Sequence, residues 1–210
     1  MKLFKILAIA AMAMVSSVSA QAGALTNVVL SNMGSDGNTT ALDSSSDVTG
    51  SRVAGSGFTV GASDFYLSKI NVGVFGGGDI TASIVNANGS NPGTNVFSSR
   101  TLSVSGAAQI VTFDFGSLQL TANTNYFVTL KGTNGDSWYL KAEAPDVFAP
   151  GGLSYVSSRY STNNGTSFSA ALGHFQIAYS GSTVPPVPEP ALTSLLCLSG
   201  IALIRRRMKK

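Results

Sequence analysis

The chain is poor in the side chains that build disulfides and most metal sites. Its 210 residues include one cysteine and one histidine. The cysteine, Cys197, lies in an apolar stretch near the C-terminus, so the region before it has no cysteine with which to form a disulfide. A structural thiolate zinc site is excluded there for the same reason, and a single histidine cannot supply a three-histidine zinc site. Folding must therefore depend on burial of apolar side chains, for which a domain of about 160 residues is large enough.

Charge is also scarce, and it is unevenly distributed. Only 11% of residues are charged, and 13 Lys and Arg against 10 Asp and Glu give a formal net charge of +3. Seven of these cations lie within the first five or the last six residues, whereas residues 21–183 carry six cations and nine acids, a net charge of −3. The positive net charge therefore comes from the two ends of the chain. Because the region between them is net negative, the charge does not favour nucleic-acid binding.

The N-terminal end has the pattern of a secretory signal peptide. Lys2 and Lys5 precede an apolar stretch from residue 6 to 15, and small residues lead up to Ala20. This order predicts a helical signal peptide over residues 1–20 with cleavage between Ala20 and Gln21, or two residues further on. The apolar stretch is too short to indicate a permanent membrane span.

The C-terminal end has three parts. Four prolines between residues 184 and 190 predict an extended, accessible linker. Residues 191–204 carry no charge, and as a helix they would span about 21 Å, less than the ~30 Å hydrocarbon core of a bilayer. Local thinning of the bilayer and flanking long cations still permit a marginal transmembrane helix. The cations between residues 205 and 210 should stay cytoplasmic, which places the preceding region on the other side of the membrane.

Pro188, Glu189 and Pro190, followed by the apolar run and by Arg205, Arg206 and Arg207, resemble the PEP-CTERM sorting signal of Gram-negative bacteria. The resemblance implies handling by an exosortase, a membrane-embedded processing enzyme, with removal of the tail near the motif. It also implies a genome that encodes exopolysaccharide export. A plain membrane anchor or a hydrophobic helix docked on the body are the alternatives. The predicted organisation is a signal peptide over 1–20, a body over 21–182 and a sorting signal over 183–210.

The body shows the two-residue alternation of β-strands. Ile70, Val72 and Val74 alternate with polar or small residues in the segment from 65 to 75. The segment from 79 to 85 alternates in the same way, and three glycines, residues 76–78, separate the two. This pattern predicts a β-hairpin.

Further strands are predicted from similar runs bounded by Gly, Asn and Ser. They cover residues 28–31, 57–60, 96–104, 109–115, 125–131, 137–142, 153–159 and 175–179. No body segment has a sustained helical apolar stripe, and no repeat emerges, so we expect an all-β single domain of the β-sandwich or jelly-roll type. The polar segment from Asn32 to Ser51 is predicted to be a long surface loop.

Four segments of the body also resemble the choice-of-anchor domains of bacterial surface proteins, with the R type closest. They occur in the family's order and are Phe58–Val60, Leu67–Asn71, Asn91–Thr94 and Leu120–Val128. The resemblance covers roughly residues 27–140 and implies a β-rich module joined to an anchoring tail. It supplies no catalytic residues.

Catalytic patterns are incomplete. Gly135-Asp136-Ser137 is similar to the nucleophile turn of one esterase family, but the Asp expected three residues before His174 is replaced by Ala171. No Gly-x-Ser-x-Gly elbow occurs. Asp114 lies between two phenylalanines on a predicted strand, where a solvent-facing side chain is the simpler interpretation than an inward catalytic acid.

Two binding sites remain open as alternatives. Asp36, Asn38, Asp43 and Asp47 could offer oxygen ligands to calcium, although they lack the spacing of a calcium loop. Trp138 and Tyr139 are adjacent on a predicted strand, so they should point to opposite faces, and the outward ring could stack on a sugar.

The resulting expectation is an exported, non-catalytic protein of the cell envelope or extracellular matrix that needs no cofactor. Its expected partners are an exosortase, the membrane through the C-terminal helix before processing, and exopolysaccharide, in which it would have a structural or adhesive role. The alternatives are a calcium- or glycan-binding module and a secreted hydrolase of unrecognised type.

Overall fold

A computed structural model describes residues 25–38, 44–48, 50–133, 137–141, 144–149 and 152–187. Within these residues the regular structure is all strand, which confirms the predicted all-β class. The predicted signal-peptide helix, the Pro188-Glu189-Pro190 motif, the apolar run over 191–204 and the basic end lie outside the described residues. No helix in the described part of the chain has the length and hydropathy needed to cross a membrane.

The predicted strand segments coincide with observed strands, most of which extend further than predicted. In chain order the strands are β1 (Val28–Ser31), β2 (Ser44–Asp47), β3 (Val53–Val60), β4 (Phe65–Phe75), β5 (Gly78–Asn88), β6 (Asn91–Val104), β7 (Gln109–Leu120), β8 (Asn125–Gly132), β9 (Ser137–Lys141), β10 (Asp146–Val147), β11 (Leu153–Ser161), β12 (Ser169–Ala170), β13 (His174–Phe175) and β14 (Ile177–Ser182).

The strands form two antiparallel sheets. The eight-stranded sheet has the order β10-β1-β14-β4-β9-β13, with β7 pairing with β4 and β2 pairing with β9. The six-stranded sheet has the order β12-β11-β3-β8-β5-β6. One hydrophobic core contains inward-facing residues of both sheets, so the arrangement is that of a sandwich.

The period-two alternation positions the core. Ile70, Val72 and Val74 of β4 are completely buried, as are Ile80 and Ile84 of β5. Since successive side chains of a strand point to opposite faces, the residues between those of β5 lie on the outer face of the six-stranded sheet.

The predicted hairpin between β4 and β5 is wrong. The two strands belong to different sheets: Phe75 pairs with Ser137, whereas Gly78 pairs with Val104. Gly76 and Gly78 have φ angles of 123° and 155°, which glycine adopts readily, and the chain crosses there from one sheet to the other. Both strands bury apolar side chains in the same core, so apolar and polar residues alternate along them just as they would in a hairpin. The sequence pattern therefore does not distinguish the two arrangements.

The predicted surface loop from Asn32 to Ser51 is also wrong in large part. Met33 is completely buried, and residues 44–47 form β2. The buried amide of Asn71 donates from Nδ2 to the carbonyl of Gly37 at 2.9 Å and accepts from Thr112 Oγ1 at 2.6 Å. Asn71, on the outer face of β4, thus holds the segment against the sheet at Gly37, and Thr112 of β7 orients the Asn71 amide.

Candidate functional site

A groove lies on the outer face of the six-stranded sheet. Its floor consists of side chains from β5 and β8 that alternate with core residues, namely Thr81, Ser83 and Thr129, with Lys131 at one end. The cavity has a volume of about 400 Å³. A second cavity of about 260 Å³ adjoins it and shares Pro92, Gly93 and Phe168 among other lining residues. Together the two form the outer groove, whose combined size is that of small-molecule sites, roughly 300–1,000 Å³.

One wall of the outer groove is the start of β6. The ladder between β5 and β6 has register shifts near Val85, where the β6 strand is irregular. Pro92 lies against Gly55 of β3, since a Cβ added at Gly55 would be 3.0 Å from Pro92 Cγ. Asn86 Oδ1 accepts a hydrogen bond from the backbone of Asn95 at 3.0 Å, which leaves no space for a side chain at Gly93.

The opposite wall is the turn between β11 and β12. Ser161 Oγ accepts from the backbone of Gly165 at 2.9 Å, and Asn163 Nδ2 donates to Ser167 Oγ at 2.9 Å. Asn164 and Gly165 have φ angles of 60° and 80°, the left-handed region that Asn and Gly tolerate best. These side-chain hydrogen bonds give the turn a defined shape, which positions Phe168 on the rim of the groove.

Among the described residues that line the outer groove, Lys131 is the one charged residue. Its Nζ donates to Asn164 Oδ1 at 2.6 Å, which joins the floor to the turn. The next residue beyond Thr81 on the same face of β5 is Asp79, whose carboxylate accepts a hydrogen bond from Ser103 Oγ at 2.5 Å and does not line the groove. The groove is therefore locally cationic on a body of net negative charge.

Besides the ammonium group of Lys131, the polar side-chain groups that line the groove are hydroxyls and amides. Thr81 Oγ1 lies 2.8 Å from Thr101 Oγ1, so the two hydroxyls bond to each other. Within the described part of the chain, the hydroxyls of Ser83 and Thr94 make no hydrogen bond. Each can both donate and accept. The arrangement can hydrogen-bond a polyhydroxylated molecule, with the half-buried ring of Phe168 as an apolar contact.

None of the groove residues was predicted as a site residue. The signal was present in part, because Thr81 and Ser83 alternate with Ile80, Ala82 and Ile84, which marks them as outward-facing. The approach of the β5–β6 turn to the end of β11, about 70 residues later in the chain, is a tertiary feature, visible in the 2.7 Å hydrogen bond from Arg159 Nε to the carbonyl of Ser90.

Trp138 does not provide the sugar-stacking ring that its strand position allowed. Its side chain is completely buried in the core. The indole stacks on Phe175 with ring centroids 4.5 Å apart, and its Nε1 donates to the carbonyl of Gln176 at 2.8 Å. A ring enclosed in this way is not accessible to a saccharide. The side chain of Tyr139 lies outside the described residues.

The structure does not bring Ser137 and His174 together. Both are strand residues of the eight-stranded sheet, but His174 pairs with Lys141, four residues along β9 from Ser137. Four residues of extended strand correspond to about 13 Å, which separates the two positions by much more than a hydrogen bond. The side chain of Asp114 is exposed, as predicted, and its Oδ1 accepts from the backbone of Gly116 at 2.8 Å.

The possible calcium ligands have separate partners. Asp36 Oδ1 accepts from the backbone of Asn38 at 3.0 Å, and Asp47 forms an exposed ion pair with Arg52. Asp43 lies outside the described residues. Among the residues that the structure describes, no group of three or more acidic, histidine or cysteine side chains is placed to hold a metal ion.

No protein-family model matches the chain, and no curated protein matches its sequence.

Proposed function

We propose that this is an exported β-sandwich protein that an exosortase sorts and processes. Residues 1–20 direct secretion, and residues 183–210 anchor the protein transiently in the inner membrane through a PEP-CTERM signal. The processed body then belongs to the cell envelope or the extracellular matrix, where it is a non-catalytic structural or adhesive component of exopolysaccharide.

The order of elements at the C-terminus carries this proposal. Pro188, Glu189 and Pro190 precede an uncharged run of 14 residues, which ends at a cluster of arginines and lysines. Neither a plain anchor nor a docked helix requires that triplet directly before the apolar run.

The position of the C-terminal linker supports an accessible processing site. The last strand, β14, ends at Ser182, and Val184 and Val187 are 66% and 83% exposed. The chain therefore leaves the sheets as an exposed segment directly before the triplet. A processing enzyme needs access of this kind, because it must bind extended backbone around the bond that it cleaves.

A structural or adhesive role agrees with the lack of cysteine in the body and with the register of β13, which pairs His174 with Lys141 and not with Ser137. Both sheets share one hydrophobic core, so burial of apolar side chains can stabilise the body without a disulfide.

Mass spectrometry of the extracellular protein tests the sorting proposal. In cells with an exosortase we expect the protein to lack its C-terminal peptide, and in a strain without the exosortase gene we expect that peptide to persist. Glu189→Ala or deletion of residues 205–210 should impair processing, whereas Asp146→Ala, a change at an exposed acid of the body, should leave it intact. An extracellular protein intact through Lys210 in exosortase-containing cells would contradict the proposal.

A further inference from the structure

We propose that the outer groove binds an acidic oligosaccharide, a chain of sugars that bears carboxylate groups. This site is distinct from the sorting signal and is formed by Ser83, Thr94, Lys131, Asn164 and Phe168. It replaces the sugar contact at Trp138, which burial of that ring excludes.

The hydroxyls of Ser83 and Thr94 provide the first reason. Both line the cavity, and neither makes a hydrogen bond within the described part of the chain. A sugar hydroxyl also donates and accepts, so it can satisfy both groups at once. An apolar ligand would instead leave these hydroxyls without partners as it displaced their water.

The ring of Phe168 provides the second reason. It lies on the rim of both cavities and is half-buried, with its edge near Gly165: a Cβ added there would be 3.7 Å from Phe168 Cζ. A half-buried ring has one side held by the protein and another available for an apolar contact. The C–H face of a sugar ring is an apolar surface bordered by hydroxyls, and it suits a site that combines one aromatic ring with several polar groups.

The charge of the groove selects the acidic class. Lys131 Nζ uses one of its three donors on Asn164 Oδ1, at 2.6 Å, and no acidic side chain is among the described residues that line the two cavities. The two remaining donors can hydrogen-bond a carboxylate with the help of the positive charge. Asn164 holds the Lys131 ammonium group at one end of the groove. A carboxylate of the bound sugar would therefore lie at that end, next to the floor.

The shape of the groove favours a chain over a single small acid. The second cavity extends past Pro92 towards Asn86, Asn88 and Asn91, whose side chains are amides. Both cavities are bounded by the start of β6 on one side and by the β11–β12 turn on the other, and both are open to solvent. A linear oligosaccharide can therefore continue from one into the other.

Isothermal titration calorimetry of the full chain, purified in a mild detergent, tests the proposal. The probes are an oligomer of uronic acid and a neutral oligomer of glucose with the same number of sugars. We expect binding of the uronic acid oligomer that weakens with rising salt, because the exposed ammonium–carboxylate attraction is screened.

The variants distinguish the two kinds of contact. Lys131→Met should weaken binding of the uronic acid oligomer about two- to fivefold, as expected for an exposed ion pair. Phe168→Ala should weaken it about three- to tenfold through loss of the ring contact. Phe168→Leu, which keeps an apolar side chain on the rim but removes the ring, should also bind less tightly. This variant tests the ring contact even if Phe168→Ala does not fold.

Matched controls lie on the other sheet. Lys69 and Phe75 are exposed on β4, so Lys69→Met and Phe75→Ala remove the same groups outside the groove and should bind like the parent. No binding of the uronic acid oligomer, equal binding of the neutral oligomer, or equal losses in the β4 and groove variants would overturn the proposal. The sorting proposal is independent of these outcomes, since it is measured on the C-terminal peptide.

Discussion

The hydroxyl of Tyr155 and Nδ1 of His174 lie 2.7 Å apart and join the two sheets. Tyr155 belongs to β11 of the six-stranded sheet, and His174 belongs to β13 of the eight-stranded sheet. The hydroxyl also donates to Ser158 Oγ at 3.0 Å, which leaves its oxygen to accept from a protonated Nδ1. The two rings meet edge to face, with centroids 5.1 Å apart. The only histidine of the chain thus has a structural contact.

Tyr155→Phe should lower the free energy of unfolding by about 1–3 kcal/mol, since it removes two hydrogen bonds of roughly 0.5–1.5 kcal/mol each. The matched control is Tyr160→Phe on the same strand, whose hydroxyl makes no hydrogen bond among the described residues and should change stability by less than about 0.5 kcal/mol. Urea unfolding at pH 7 measures both. Equal effects of the two variants would show that the contact between the sheets contributes nothing.

Alkaline pH should destabilise the protein through Tyr179. Burial raises the pKa of Tyr179 well above the usual value of 10.0, and the nearby hydroxyl of Ser56 offsets this only in part. Above pH 10 the unfolded chain releases this proton while the folded chain retains it, so stability falls as pH rises. The slope is about 1.4 kcal/mol per pH unit for one such group.

Tyr179→Phe should reduce that slope, which urea unfolding at pH 8 and pH 11 would measure. In the geometry of the structure the Tyr179 hydroxyl is buried without a well-formed hydrogen bond, so the variant should be close to the parent in stability at pH 8. Tyr66→Phe, at a partly exposed tyrosine, is the control and should keep the alkaline loss. If Tyr179→Phe loses stability at high pH as steeply as the parent does, another group is responsible.

Gly181→Ala should be strongly destabilising. A Cβ at Gly181 would lie 2.4 Å from the backbone oxygen of Tyr66 and 2.5 Å from Cζ of Phe65, a completely buried ring. Overpacking of this kind costs about 1–3 kcal/mol or more, because backbone must move. At Gly106 no atom lies within 4 Å of an added Cβ, so Gly106→Ala should change stability by less than about 0.5 kcal/mol. Thermal unfolding of the two variants gives the comparison, and equal midpoints would contradict the close approach at Gly181.

Trp138 should report directly on the core, because it is the only tryptophan. Its emission should be blue-shifted and poorly quenched by acrylamide in the folded protein, and both properties should be lost on unfolding. Trp138→Ala should cost about 3–5 kcal/mol, as expected for removal of a large buried ring. Trp138→Phe should cost less, since it keeps a ring against Phe175. Quenching in the folded protein equal to that in urea would contradict burial of the indole.

Strand positions could be predicted because alternation is local. A strand such as β4 exposes its two faces to different surroundings, so burial of Ile70, Val72 and Val74 follows from their spacing. The pairing of strands could not be predicted in the same way. The segment from 79 to 85 would bury the same apolar side chains in either arrangement: next to β4 in one sheet, or opposite β4 in the second sheet of the sandwich.

Less of the candidate site than of the fold could be predicted from the sequence. Thr81 and Ser83 could be placed on an outer face, but Lys131 and Asn164 are 33 residues apart and meet only because the β11–β12 turn reaches past β3, the strand between β11 and β8, to the end of β8. Trp138 illustrates the opposite case, in which a residue with suitable chemistry was placed in the core by packing against Phe175.

The sequence by itself determined the all-β class, the positions of most strands and the absence of disulfides from the body. These follow from spacing and composition, which act over a few residues or over the chain as a whole. The tertiary structure decided that β4 and β5 lie in different sheets, that Asn71 holds a buried segment, and that two distant turns enclose a groove beside Lys131. Each of these depends on which surfaces pack together to bury apolar area, and alternation alone does not specify the partner of a surface.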